Sequence, residues 1–133
     1  QKELSNKDRR IFLVHGHDNG MKQEVARFLE RIDLEVIILH EQISRNQTII
    51  EKLESYSDVS FAVVLLSGDD KAFVHGKEVL RARQNVVLEL GYFIGRLGRH
   101  AVCALKKGDV EIPSDYDEHP CRERLEGRAQ RAR

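Results

Sequence analysis

The chain has 133 residues, with 22 Lys+Arg against 22 Asp+Glu, 41% hydrophobic and 33% charged residues. That length suits one domain burying roughly two thirds of its unfolded surface, and the composition argues against intrinsic disorder and against a membrane protein, since no apolar run approaches the ~20 residues that span a bilayer. The zero net charge gives no support to a dedicated nucleic-acid binder, but it sums two unlike parts: residues 121–133 hold five Arg and two Glu, leaving 17 basic against 20 acidic residues in 1–120.

In chain order, the start (Gln1-Lys2-Glu3) carries no signal-peptide pattern. Four short runs are then apolar nearly throughout: Ile11–Val14, Val36–Leu39, Phe61–Leu66 and Ala101–Leu105. Continuous apolar runs rich in Val and Ile are the mark of strands covered on both faces. Between them lie segments of helical period. Met21, Val25, Phe28, Leu29 and Ile32 form a stripe after a cap at Asp18 or Asn19. Thr48-Ile49-Ile50-Glu51 reads as a capping box, with Leu53 and Tyr56 following on one side. A third stripe, Val86, Val87, Leu90, Phe93, Ile94 and Leu97, ends at Gly98. The alternation implies βαβ units and a parallel sheet with helices on both faces.

The segment 67–84 has no strong period and reads as a long functional or mobile loop. After Leu105 the chain is turn-rich through Asp115, and nothing after that stretch resembles another buried strand. Residues 118–133 read as a basic tail, disordered or a frayed helix, because Cys121–Arg133 contains one large aliphatic residue, Leu125. The two cysteines, Cys103 and Cys121, make no disulfide framework; Cys103 reads as a small core residue, and a reducing, cytoplasmic setting is expected.

In an open α/β sheet, ligands bind beyond the carboxyl ends of the strands. Those ends are polar here: His15-Gly16-His17-Asp18, His40-Glu41-Gln42 and Ser67-Gly68-Asp69-Asp70. There is no Walker loop, no G-x-G-x-x-G and no G-x-S-x-G elbow. His15-x-His17-Asp18 lacks further paired ligands, so a turn with capping and ligand-contacting roles is preferred to a metal site. Asn85, Glu89, Tyr92 and Arg96 follow one line along the third helix, which puts a carboxylate at the edge of the core. Glu89 is then a functional group, a solvated helix residue or a partner for Arg96. Gly91, Gly95 and Gly98 also share a face, either for tight helix-on-sheet packing or as a flat surface for self-association.

Several ordered motifs together carry a resemblance: Ile11-Phe12-Leu13-Val14-His15-Gly16-His17-Asp18, Val25-Ala26-Arg27-Phe28-Leu29-Glu30, Ile38-Leu39-His40-Glu41-Gln42, Thr48-Ile49-Ile50-Glu51-Lys52, Phe61–Ser67 and Ala82–Gly95. Over residues 9–117 the chain resembles the bacterial TIR-like (Toll/interleukin-1 receptor-like) predicted nucleotide-binding domains, which occur in anti-phage signalling proteins. The resemblance implies a flavodoxin-like α/β fold and, in active members, cleavage of NAD to nicotinamide and an ADP-ribose product, with NAD as substrate and no separate cofactor. Glu89 occupies the position of the family's catalytic glutamate. His15, Gly16, Asp18, Arg45, Ser67, Asp69, Arg83 and Asn85 are the candidates, by position, for holding ribose, phosphates and nicotinamide. Residues 40–48 correspond to the mobile loop that contributes to assembly and active-site access.

Homo-oligomerisation through TIR–TIR contacts and a fused or associated sensor for a cyclic-nucleotide signal are further implications of the resemblance; nucleic acid and membrane are not expected partners. The chain departs from the family pattern after Glu118, where His119-Pro120-Cys121-Arg122 replaces the usual continuation, so a sheet without its last strand is expected. The alternative reading is a non-enzymatic module that binds a nucleotide or another such domain.

Overall fold

A computed structural model gives the structure of the chain, and it describes residues 9–41, 48–56, 59–111, 113 and 121. The elements in order are β1 (Arg10–Val14), α1 (Asn19–Arg31), β2 (Glu35–Ile38), α2 (Ile49–Leu53), β3 (Ala62–Leu66), β4 (Asp70–Val74), β5 (Lys77–Arg81), α3 (Gln84–Leu97), β6 (Val102–Lys106) and β7 (Val110–Glu111). Short 3-10 turns follow β2 at Leu39–Glu41 and precede β6 at Arg99–Ala101.

Strands β2-β1-β3-β6 form one parallel sheet in that order. The four apolar runs of the sequence are these four strands, and alternate residues explain why each run is apolar throughout. Phe12 and Val14 of β1 and Ala62, Val64 and Leu66 of β3 face a core completed by Leu53, Val86, Leu90 and Phe93. Ile11, Leu13, Val63, Leu65 and Cys103 face the opposite core, against Met21, Ala26 and Leu29 of α1. With both faces covered, neither parity can be polar. The order is that of a flavodoxin-like, doubly wound sheet, and its switch point lies between β1 and β3.

The helix boundaries follow from local chemistry. Asp18 caps α1 by accepting from the Met21 amide at 2.9 Å. Thr48 accepts from the Glu51 amide at 3.2 Å, the Thr half of the expected box. Gly98 ends α3 with φ 92°, a left-handed conformation that favours glycine.

Three expectations are corrected. The segment 67–84 is not a featureless loop: β4 and β5 form an antiparallel hairpin turning at His75-Gly76, and β5 pairs in parallel with β7 in a second, three-stranded sheet. The hairpin has no helical period and no buried face, its residues being exposed or half-buried, so apolar patterning gives it no signal. The turn-rich stretch after β6 contains β7, a two-residue strand whose Val110 is buried and whose Glu111 accepts from Arg81 at 3.1 Å. The cysteines, read as making no disulfide framework, are joined as a disulfide between Cys103 in β6 and Cys121, Cα atoms 5.4 Å apart; an 18-residue separation reveals no such proximity. Cys103 is nevertheless fully buried, as a core residue should be. The remainder of the tail, and any strand beyond β7, lie outside the described residues. No helix among the described residues is long and apolar enough to cross a membrane.

Candidate functional site

The carboxyl ends of β1, β2 and β3 and the first turns of α3 converge on one edge of the parallel sheet. Glu89 sits on α3 among Val86, Leu90 and Phe93, the helix residues that face the sheet, and is 5% exposed. Neither of its carboxylate oxygens has a hydrogen-bond partner among the described residues. Its expected ordinary partner, Arg96, instead donates to the Tyr92 hydroxyl at 2.7 Å. Glu89 faces His40, from the turn after β2, whose Nε2 lies 3.6 Å from Oε2. His40 lies against His15, with ring centroids 4.8 Å apart. His15 is buried and its Nδ1 is 2.7 Å from the Gly16 carbonyl; a carbonyl only accepts, so this nitrogen carries the proton.

At the switch point, Asp69 bridges β3 to the turn after β1. Its Oδ1 accepts from the Ser67 hydroxyl at 2.6 Å and its Oδ2 from the His17 amide at 3.1 Å. This close approach requires Gly16, because a Cβ there would collide with the Asp69 carboxylate. Asp18, besides capping α1, accepts from Lys107 Nζ at 3.0 Å. The Met21 amide and then the Lys107 ammonium hold the Asp18 carboxyl below its ordinary pKa, and Asp18 in turn raises that of Lys107.

The structure thus brings His15, Gly16, Ser67 and Asp69 together at the sheet edge, with Glu89 reached through His40. Arg83 is the cap residue before α3 and Asn85 lies in its first turn, about one turn before Glu89; Arg83 is half-buried and Asn85 exposed. Arg45 lies outside the described residues. Two participants were not among the sequence candidates. His40 stood in view at the polar end of β2, but its approach to Glu89 depends on the turn there. Lys107 reaches Asp18 across 89 positions, which no local signal reveals.

Comparison with known proteins agrees with this architecture. The family described as CAP12/Pycsar effector protein, TIR domain, matches residues 10–118. The uncharacterized protein YuaY of Escherichia coli (strain K12) is 59% identical over 110 residues, covering 80% of this chain and 37% of that protein. Protein tirC of Dictyostelium discoideum is 39% identical over 124 residues, covering 84% of this chain and 62% of its own length. The CD-NTase-associated protein 12 of Niabella drilacis is 26% identical over 116 residues, covering 82% and 37% respectively. The chain therefore spans less than two thirds of the length of each of these relatives. It belongs to the CAP12/Pycsar effector TIR domain family.

Proposed function

We propose that the chain is an NAD glycohydrolase domain that acts as an effector in bacterial anti-phage signalling, with turnover dependent on assembly. The observation that carries this reading is Glu89: a buried carboxylate, without a hydrogen-bond partner among the described residues, at the sheet edge where such folds bind ligands. A buried carboxylate of that kind is costly to the fold, and such groups concentrate at functional sites.

The chemistry suits one carboxylate. The bond broken joins the ribose anomeric carbon to the pyridinium nitrogen. Nicotinamide leaves with the bonding pair as a neutral molecule, so no general acid is needed, unlike an ordinary glycoside. The ribose becomes oxocarbenium-like, and the negative charge of Glu89 stabilises it. Water then adds to that carbon and releases a proton, giving ADP-ribose. Low exposure around Glu89 strengthens the interaction, since little water screens it. His15, Gly16, Asp18, Arg45, Ser67, Asp69, Arg83 and Asn85 are proposed to hold the dinucleotide.

Assembly dependence is supported by the outer face of α3, where Leu88 is 64% exposed and a Cβ at Gly91 or Gly95 would meet nothing. Their glycines are thus not explained by packing on the sheet. The names of relatives, CD-NTase-associated protein 12 and the Pycsar effectors of Xanthomonas perforans and Burkholderia cepacia, support a setting downstream of a cyclic-nucleotide signal, sensed by a fused or associated domain.

A second reading is a non-enzymatic module for nucleotide or homotypic binding. It is favoured by Asp69, whose carboxylate takes up the His17 amide at the switch point. Incubating concentrated or bead-crowded protein with NAD and following nicotinamide separates the two. Release by the wild type that disappears in Glu89→Gln supports the hydrolase; binding or association without release, even when crowded, supports the module.

A further inference from the structure

Among the described residues no hydrogen bond fixes the direction of the buried Glu89 carboxylate oxygens. Among the described residues, His40 makes the one contact within ion-pair range of Glu89, at 3.6 Å from Nε2 to Oε2. The His40 ring is itself backed by His15, at 4.8 Å between centroids and 42° between planes. His15 is anchored through Nδ1 on the Gly16 carbonyl. A continuous arrangement therefore runs from the turn after β1, through the turn after β2, to the carboxylate on α3. The three residues lie on three elements, so their meeting is a property of the tertiary fold. His40 is also the accessible member, with 26% of its side chain exposed against 5% for Glu89.

We infer that His40 is a positioning residue for Glu89, its Nε2–H taking one carboxylate oxygen so that the other is presented to the ribose of the bound dinucleotide, with His15 fixing the imidazole plane. This rests on the glycohydrolase reading and extends it. A shift of a few tenths of an ångström turns the 3.6 Å contact into a hydrogen bond, because N–H···O bonds run out to about 3.2 Å. Apo sites commonly hold catalytic contacts long and tighten them when substrate binds. A carboxylate left to rotate would lose the alignment that carries most of its effect, and a misplacement of about 1 Å can cost about 100-fold in rate.

The test uses crowded full chain and NAD, with kcat and KM measured separately for wild type, His40→Ala, His40→Gln and His40→Phe. His40→Ala should lose about 100-fold in kcat with KM within about threefold of wild type, as expected for an interaction needed in the transition state. His40→Gln, whose amide places an N–H near the position of Nε2, should recover about tenfold or more of that loss. Free imidazole should partly restore His40→Ala through the opening that the missing ring leaves. A residue needed only for packing would show neither recovery.

Should His40→Ala fail to fold, His40→Phe carries the test: it retains a ring against His15 but lacks the donor, and should be inactive where His40→Gln is active. Wild-type kcat in His40→Ala or His40→Phe, or a loss confined to KM, overturns the inference, as does a kcat loss that neither glutamine nor imidazole relieves. Glu89→Gln run in parallel keeps the two levels apart. If it turns over NAD like wild type, or if the crowded wild type releases no nicotinamide, the glycohydrolase reading itself fails and His40 falls with it. If Glu89→Gln is dead and His40→Ala is fully active, only the role of His40 is lost.

Discussion

The Asp69 carboxylate stands over Gly16, in the space that any larger residue at position 16 would need for its Cβ. The contact ties the end of β3 to the turn after β1 through the His17 amide, while Ser67 holds the other oxygen. Gly16→Ala must displace the carboxylate from these two partners. We expect a loss of about 1 kcal/mol in urea denaturation, the scale of overpacking and lost hydrogen bonds at a half-buried contact. Asp69→Ala in the same chain should make the Gly16→Ala cost much smaller, and simple additivity of the two substitutions would contradict the contact.

Glu89 should be a liability to the fold. Replacing it with glutamine removes a buried charge while keeping the shape. Glu89→Gln should therefore unfold at higher denaturant concentration than wild type, by about 1 kcal/mol, in line with the stability that functional sites sacrifice. A destabilised Glu89→Gln would mean that the carboxylate serves the fold.

The Asp18–Lys107 pair gives a signed pH and salt dependence. The Asp18 carboxyl is held below its ordinary range by the Met21 amide and Lys107. Its stabilisation is thus complete above that range and lost as pH falls through the lowered value. Lys107 is raised by Asp18, so its contribution is complete below the ordinary amine range and lost as pH rises through the raised value. Asp18→Asn keeps an oxygen for the Met21 amide but loses the charge. Thermal melts between pH 2 and 5 should show a smaller fall in stability with acid for Asp18→Asn than for wild type, and salt should narrow the difference because the pair is exposed.

Gly91 and Gly95 separate folding from assembly. Both are exposed with open space beyond them. Alanine at each should stabilise the chain by about 1 kcal/mol from helix propensity alone. If the outer face of α3 is the contact surface, the double substitution should lower sedimentation-detected association and crowding-dependent turnover together. Unchanged association would remove this face from the account.

How much of this was legible depends on where each feature's information lies in the chain. Ile11–Val14 and Phe61–Leu66 announce buried parallel strands because both parities are covered, and Asp18 announces a helix start because its partner, Met21, is three residues away. The β4–β5 hairpin was not legible. Phe73 is 77% exposed, while Lys71, Lys77 and Glu78 decorate strands without a core face, so neither periodicity nor a continuous apolar run marks them. At the site, Glu89 could be placed by helical position and by the family motif. The contacts that set its surroundings could not. His40 meets Glu89 only after β2, its turn and α3 are assembled, and Asp69 meets Gly16 only because β1 and β3 are neighbours in the sheet.

The central claim is that Glu89 performs the cleavage of the nicotinamide–ribose bond. Its most direct test is time-resolved release of nicotinamide from NAD by crowded wild-type chain beside Glu89→Gln at equal folded concentration. We predict steady release by the wild type and a fall of at least about 100-fold in Glu89→Gln, the scale of losing a principal transition-state charge. Equal release by both chains would contradict the account.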